Sequence, residues 1–245
     1  MPVSVRNLWK TPVKAARAVG QGLMGLAFPP ACLHCGGAVP GASTLLCFCC
    51  LRNADRADAD DVRERIDRLP GMRTAIDGAF ALWMFDKGGF LQHIHQALKY
   101  GNRPHYGIWL GRILGHAFVQ SLVYRPAPDL LVPIPLHRMR LCERGYNQSE
   151  YLVRGIAPAL ERPAAPEVIV RSKVTRSQTA LSRKERLDNL DGAFTVPIPE
   201  RVAGLRILLV DDIFTTGATV GMAASALLKA GADAVDIAAL GVTRM

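Results

Sequence analysis

Two adjacent carboxylates followed by a run of small hydroxyl residues open the question of chemistry in this chain. The stretch is Leu209-Val210-Asp211-Asp212-Ile213-Phe214-Thr215-Thr216-Gly217-Ala218-Thr219. Paired acids can accept hydrogen bonds from the vicinal hydroxyls of a ribose. Thr215, Thr216 and Thr219 can donate to a phosphate, and Gly217 lets the backbone approach it without a Cβ clash. Backbone N–H groups at a helix N-terminus favour the same anion. These residue types in this order predict a ribose-phosphate cradle. A lone Asp–Asp would instead read as helix capping.

The flanking pattern supplies the elements such a cradle needs. Ile207 to Val210 is apolar and β-branched, as a buried parallel strand should be, and Thr219 to Leu228 is Ala-rich with helical spacing. The acids therefore fall where a strand gives way to a helix, the edge at which open α/β sheets bind ligands. Side chains alternate along a strand, so either one acid faces the ligand more directly or the chain bends there.

Two basic segments could close on the same anion. Val132 to Gln148 leaves a strand and carries Arg138, Arg140 and Arg144 before Gly145 and a helix. The guanidinium fork suits phosphate oxygens. Arg171 to Arg186 holds six basic residues, Arg176 and Arg186 among them, and reads as a loop that could close over a polyanion. Each alone would pass as a solvated loop; together they suggest a pyrophosphate clamp. Lys99 reads by itself as a solvated lysine; only the resemblance of its string, Leu98-Lys99-Tyr100-Gly101, to a known family implies that it could reach a diphosphate.

A second constellation lies upstream. Five of the six cysteines fall between positions 32 and 50. Cys32-Leu33-His34-Cys35 and Cys47-Phe48-Cys49-Cys50 form two C-x2-C knuckles eleven residues apart. Four thiolates so spaced can meet one Zn²⁺ tetrahedrally, and in so small a segment the metal would supply the folding energy. Spacing selects Cys32, Cys35, Cys47 and Cys50 as a structural zinc site, with Gly36-Gly37 turning the chain back toward the ligands. An iron–sulfur cluster or a redox dithiol is the rival chemistry, and Cys49 and His34 are left over. Cys142 reads as an isolated thiol.

The alternating pattern extends over the rest of the chain. Strands are predicted at Ala79–Phe85, Leu130–Pro135, Glu167–Arg171 and Ala234–Leu240, and helices at Phe90–Lys99, Tyr106–Val123 and Asn147–Leu160. Strands separated by helices imply a largely parallel sheet. Residues 1–31 read as an amphipathic N-terminal segment, residues 32–55 as a zinc-ribbon-like segment, and residues 76–245 as the main α/β domain. The charged stretch 51–75 reads as a solvated helix or linker. His93 and His95, two apart, do not share a helix face and are not expected to form a metal pair. Trp83, Trp109 and Tyr100 are expected in the core or at a lip.

The 245 residues carry a net charge of +9, a pI of about 9.6 and a mean hydropathy of +0.14. That is a globular composition, and a basic field favours phosphate-bearing ligands or nucleic acid. No run of 18 uncharged apolar residues is present, so no transmembrane helix and a cytoplasmic protein are expected.

The Asp211-to-Thr219 string resembles the 5-phosphoribosyl-1-pyrophosphate (PRPP) motif of type I phosphoribosyltransferases. Further strings sharpen the likeness: Leu98-Lys99-Tyr100-Gly101, Pro133-Ile134-Pro135-Leu136, Arg144-Gly145-Tyr146-Asn147-Gln148, Thr175-x-x-Gln178-x-x-Leu181, Arg186, Asn189 and Gly192-Ala193-Phe194. In this order they resemble the ComF/GntX family, associated with competence and DNA uptake, over roughly residues 32 to 245. The resemblance implies a type I phosphoribosyltransferase-like parallel sheet flanked by helices, preceded by a small zinc-binding segment. Asp211 and Asp212 would hold the ribose hydroxyls, and Thr215, Thr216, Gly217, Ala218 and Thr219 the 5-phosphate. Mg²⁺ would accompany PRPP, and C1 would pass to an amine or a nitrogenous base. The other roles open to such a chain are sensing PRPP without turnover, and a non-catalytic DNA-uptake role through single-stranded DNA or a helicase-like partner.

Overall fold

β-Branched and leucine-rich runs build the centre of the molecule. A computed structural model describes residues 30–41, 43–67, 76–86, 88–122, 126–172 and 192–244. Arg176, Arg186 and the N-terminal amphipathic segment up to residue 29 lie outside them. The chain divides after Asn53 into two compact units.

The first unit holds the cysteine knuckles and a short helix, α1 (Phe48–Asn53). Gly36, at φ +72°, takes a left-handed turn that few other residues adopt. Its N–H bonds back to the Cys32 carbonyl at 3.0 Å, and Leu33 N–H bonds to the Leu45 carbonyl at 2.9 Å. The knuckles are thereby folded onto each other around buried Leu45 and Leu46.

The second unit contains α2 (Ala59–Asp67), β1 (Gly78–Phe85), α3 (Phe90–Tyr100), α4 (His105–Ser121), β2 (Leu130–Pro133), α5 (Arg138–Arg144) and α6 (Gln148–Leu160). After these come β3 (Val170–Arg171), β4 (Phe194–Thr195), β5 (Arg206–Phe214), α7 (Ala218–Lys229) and β6 (Ala234–Thr243). Four strands form one parallel sheet in the order β1-β6-β5-β2, flanked by helices, as the alternating pattern predicts. β5 and β6 are central, and the apolar side chains of both are almost fully buried.

Three features depart from the sequence expectation. The predicted strand at Glu167–Arg171 shrinks to the two residues of β3, which pair antiparallel with β4 outside the main sheet. The basic stretch after β2 contains a helix, α5, that was not expected; His137 caps it by accepting a hydrogen bond from Met139 N–H. The stretch read as a solvated helix or linker does contain a helix, α2, but not a fully solvated one: its Val62 and Ile66 are buried in the core of this unit. Its density of charge hides a two-residue apolar stripe at i, i+4 spacing.

Helices α4 and α6 cross with their backbones in contact, because glycines line the crossing. A Cβ on Gly111 would stand 2.2 Å from the Leu152 carbonyl oxygen, and one on Gly155 2.2 Å from that of Ile108. Both obstacles are backbone, so neither yields by a side-chain rotation. This crossing fixes the N-terminal end of α6, which is also tied to β2: Asn147 Nδ2 donates to the Ile134 carbonyl at 3.0 Å. Gly111→Ala is expected to destabilise the protein by about 3 kcal/mol, the upper end for overpacking. A urea unfolding midpoint equal to that of the parent protein would show that the crossing can open at little cost.

Candidate functional site

β2 ends beside Val210, with Pro133 paired to it, while β5 runs on to Phe214. From Asp211 onward β5 therefore has no neighbour on that side, and the space beyond β2 is open. Asp211 and Asp212 emerge at that point, at the C-terminal edge of a parallel sheet. The backbone there turns its N–H groups to its own side chains. Asp212 N–H bonds to Asp211 Oδ1 at 2.8 Å, and Ile213 N–H to Asp212 Oδ1 at 2.7 Å. Both acids line one cavity.

The two carboxylates have different surroundings. Asp211 Oδ1 accepts a hydrogen bond from Ser149 Oγ at 3.1 Å. Burial, and then the charge of Asp212, push its carboxyl up to about 7. Asp212 Oδ2 lies 3.1 Å from His95 Nε2 and 3.5 Å from Lys99 Nζ. Burial acts to raise Asp212 as well, but the His95 hydrogen bond and the Lys99 charge outweigh it and bring it down to about 2. One acid is thus held ionised while its neighbour exchanges its proton near neutrality.

The cavity has a volume of about 480 Å³. Lys99, Arg140, Arg144 and Arg171 line it together with Asp211, Asp212 and Glu143, and Gln148, Ser149 and Thr219 complete its polar wall. With Asp211 part-protonated the balance is positive, which suits an anion. Of the residues singled out from the sequence, Lys99, Arg140, Arg144, Asp211, Asp212 and Thr219 are brought together here. Arg138 instead lines an adjoining hollow with His137, Cys142 and Arg171. Thr215 and Thr216 are exposed, and Gly217 is buried. Gly217 takes a left-handed φ of +77° to start α7, and Thr216 Oγ1 accepts from Ala218 N–H at 3.4 Å.

Three contributors were not singled out by sequence reasoning. Ser149 carries no local signal; only the docking of α6 against β5 brings it to Asp211. His95 was weighed solely as half of a histidine pair, yet it sits four residues before Lys99 on the same helix face, and that spacing was the available signal. Arg65, in the supposed linker, donates to the carbonyl oxygens of Thr215 and Thr243. It ties α2 to the loop before α7 and to the end of β6.

In the first unit, the sulfurs of Cys32, Cys35, Cys47 and Cys50 lie within 4.8 Å of one another, with Cys35 and Cys47 at 3.7 Å. A tetrahedral ion with Zn–S of about 2.3 Å sets its sulfurs roughly 3.8 Å apart, so this cluster can hold a metal such as zinc. Burial acts to raise the Cys32 thiol, but the backbone N–H groups of Cys35, Cys47 and His34 bring it down to about 6. Cys50 is pushed up by burial and by the neighbouring sulfurs. Four thiols so close resist ionising together until a cation offsets them. Cys49 is exposed and outside the cluster.

Two outcomes follow from this geometry. Asp211 has a raised pKa, so the folded chain binds a proton there that the unfolded chain has released; its contribution to stability falls as pH rises from about 4 to about 7. Asp212 is depressed, so its contribution is present above about 4 and is lost as pH falls toward 2. At pH 8, Asp211→Asn should raise the unfolding free energy and Asp212→Asn lower it, each by on the order of 1 kcal/mol. Denaturant titrations in which the two variants shift in the same direction would contradict this assignment. For the cysteines, elemental analysis should find one zinc per chain, and none in Cys32→Ser/Cys50→Ser.

Among the described residues, no helix is long and apolar enough to cross a membrane. No family model matches the chain. It is 36% identical over 149 residues to the DNA utilization protein YhgH of Salmonella typhi, covering 59% of this chain and 63% of that protein. It is 33% identical over 111 residues to competence protein F of Haemophilus influenzae, covering 45% and 48% of the two chains. Over 111 residues it is 37% identical to competence protein ComFC of Bacillus subtilis, covering 45% and 43%. The chain thus spans just under two thirds of the first relative and about half of the other two. A solved glutamine PRPP amidotransferase from B. subtilis, complexed with ADP and GMP, is similar at a TM-score of 0.41 and 19% identity, over 59% of this chain and 30% of that one. An allosteric regulatory enzyme of purine biosynthesis is similar at 0.39 and 19%. Over the part that aligns, the chain is similar to proteins named for DNA utilization and for competence.

Proposed function

We propose that this chain binds PRPP together with Mg²⁺ and displaces the pyrophosphate from C1 in favour of a nitrogen acceptor. The observation that carries the reading is the cavity that Asp211 and Asp212, at the end of β5, line together with Lys99, Arg140 and Arg144. In this reading the carboxylates receive the ribose hydroxyls. Asp212, held ionised by His95 and Lys99, is a constant acceptor, and Asp211 can accept or donate. The loop Thr215 to Thr219 takes the 5-phosphate at the start of α7. Lys99, Arg140 and Arg144 stabilise the charge that develops on the leaving diphosphate as the C1–O bond breaks. Mg²⁺ brought in with PRPP would neutralise part of that charge. The C1–N bond forms as the C1–O electron pair departs on the pyrophosphate, and the proton lost by the acceptor nitrogen passes to the departing pyrophosphate. Arg138, beside the cavity, and Arg176 and Arg186, in the segment that follows β3, are assigned to the diphosphate or to closure over it. The four-cysteine cluster holds a structural zinc.

The names of the relatives concern DNA utilization and competence, and we place the phosphoribosyl site in that process. A direct DNA-binding role through the basic surface predicts an affinity that falls steeply with salt.

Calorimetric titration of Mg–PRPP into the zinc-loaded protein tests the reading. Saturable binding is expected, weakened at least a hundredfold in Asp211→Asn/Asp212→Asn. No heat from folded, zinc-loaded protein would sink it. Pyrophosphate release across a panel of amines and nucleobases then separates transfer from sensing.

A further inference from the structure

Gln148 is the most unusual polar side chain at the site. It is the first residue of α6 and only 1% exposed, yet it carries an amide with two donors and an acceptor. Its neighbours are satisfied. Asn147 Oδ1 accepts from Ser149 N–H and its Nδ2 donates to the Ile134 carbonyl, while Ser149 Oγ bonds Asp211. Gln148 is satisfied on one side alone. Arg144 Nη1 donates to its Oε1 at 3.0 Å. Guanidinium groups only donate, so the atom facing Arg144 is the oxygen, and the amide cannot be turned over without loss. Nε2 is left on the other side, buried and with no hydrogen-bond partner among the described residues. The open space that Gln148 borders is the cavity.

Buried donors are almost always paired, and one that is not calls for a specific cause. The backbone here leaves little slack to relax the strain. α6 is pinned by the glycine crossing with α4 and by Asn147, so its backbone holds Gln148 at the cavity wall. A small turn of the amide toward the cavity would bring its unpaired donor to a ligand oxygen.

Which part of the ligand it meets follows from its tie to Arg144. Arg144, Arg140 and Lys99 form the cationic wall, whereas the hydroxyl loop reaches the cavity only at Thr219. We propose that Gln148 is a ligand-binding residue whose Nε2–H donates to a diphosphate oxygen. Arg144 both faces that group and aims the amide at it. The proposal rests on the PRPP reading of the cavity and adds a residue to it. A neutral donor among cations contributes little long-range attraction; it fixes where an oxygen must sit. Gln148 would therefore help to tell a diphosphate from other anions of similar charge.

Two substitutions separate a ligand role from a structural one. Gln148→Leu removes the unpaired donor together with the oxygen that Arg144 binds, leaving a slightly shorter apolar side chain. Gln148→Glu keeps an acceptor for Arg144 and replaces the donor with oxygen. Each is titrated calorimetrically with Mg–pyrophosphate and with ribose 5-phosphate, and each is unfolded in urea without ligand. For Gln148→Leu the expected result is an unfolding midpoint no lower than the parent's, a loss of pyrophosphate affinity of tenfold or more, and unchanged ribose 5-phosphate affinity. For Gln148→Glu the pyrophosphate loss is larger still.

Pyrophosphate affinity unchanged in both variants overturns the proposal, as does an equal loss for both ligands. A lower midpoint in Gln148→Leu, with binding falling in step, marks the amide as structural and overturns it too. If the parent protein binds neither pyrophosphate, ribose 5-phosphate nor Mg–PRPP, the PRPP reading itself fails and the proposal falls with it. That outcome is distinct from normal parent binding that the substitutions leave untouched.

Discussion

Two carboxylates on consecutive residues at the end of a buried strand cannot both ionise unaided. Their repulsion and desolvation must be met by cations and donors from elsewhere in the fold. Much of the second unit can be understood as meeting that demand. α3 brings His95 and Lys99 to Asp212, and α6 brings Ser149 to Asp211. The early end of β2 provides the room. The result is asymmetric: one acid keeps its charge and the other sits near neutrality. A site built this way, with Lys99, Arg140, Arg144 and Arg171 along its wall, is electrostatically suited to an anion.

The precision of that arrangement depends on apolar and backbone contacts at a distance from it. Ser149 and Gln148 meet the cavity because the α4–α6 crossing and the Asn147 bridge set the height of α6 above the sheet. At the opposite end of β5, Arg206 bridges Asp236 and Asp77, each at 3.0 Å. It holds β5 in register with β6 at the end where the chain carries no chemistry. Charge pairs thus occupy both ends of the central strand, structural at one and ligand-facing at the other.

The acids, the hydroxyl loop and the cysteine knuckles were legible because their signals are local. Strand, Asp-Asp, Thr-Thr-Gly and helix follow one another within a few turns of chain, and C-x2-C spacing is itself the geometry. The parallel sheet was legible for the same reason, through alternation of apolar periods. What escaped was non-local. Ser149 meets Asp211 across 62 residues and Arg65 meets Thr215 across 150, and no window of sequence contains either pair. Val62 and Ile66 were lost beneath the acids and arginines around them. The predicted strand at Glu167–Arg171 failed because apolar β-branched residues report burial, not which partner they will find.

The strand order β1-β6-β5-β2 also bears on how the molecule comes into being. The two strands made first stand at the outside, and the two made last fill the gap between them. During synthesis β1 and β2 can find no sheet to join, and α2 must wait for Arg65 to meet carbonyls near the chain's end. Contacts of such long sequence separation form slowly, and the apolar face of β1 stays exposed until β6 arrives. Losing even the last dozen residues would remove the strand that joins β1 to the rest of the sheet.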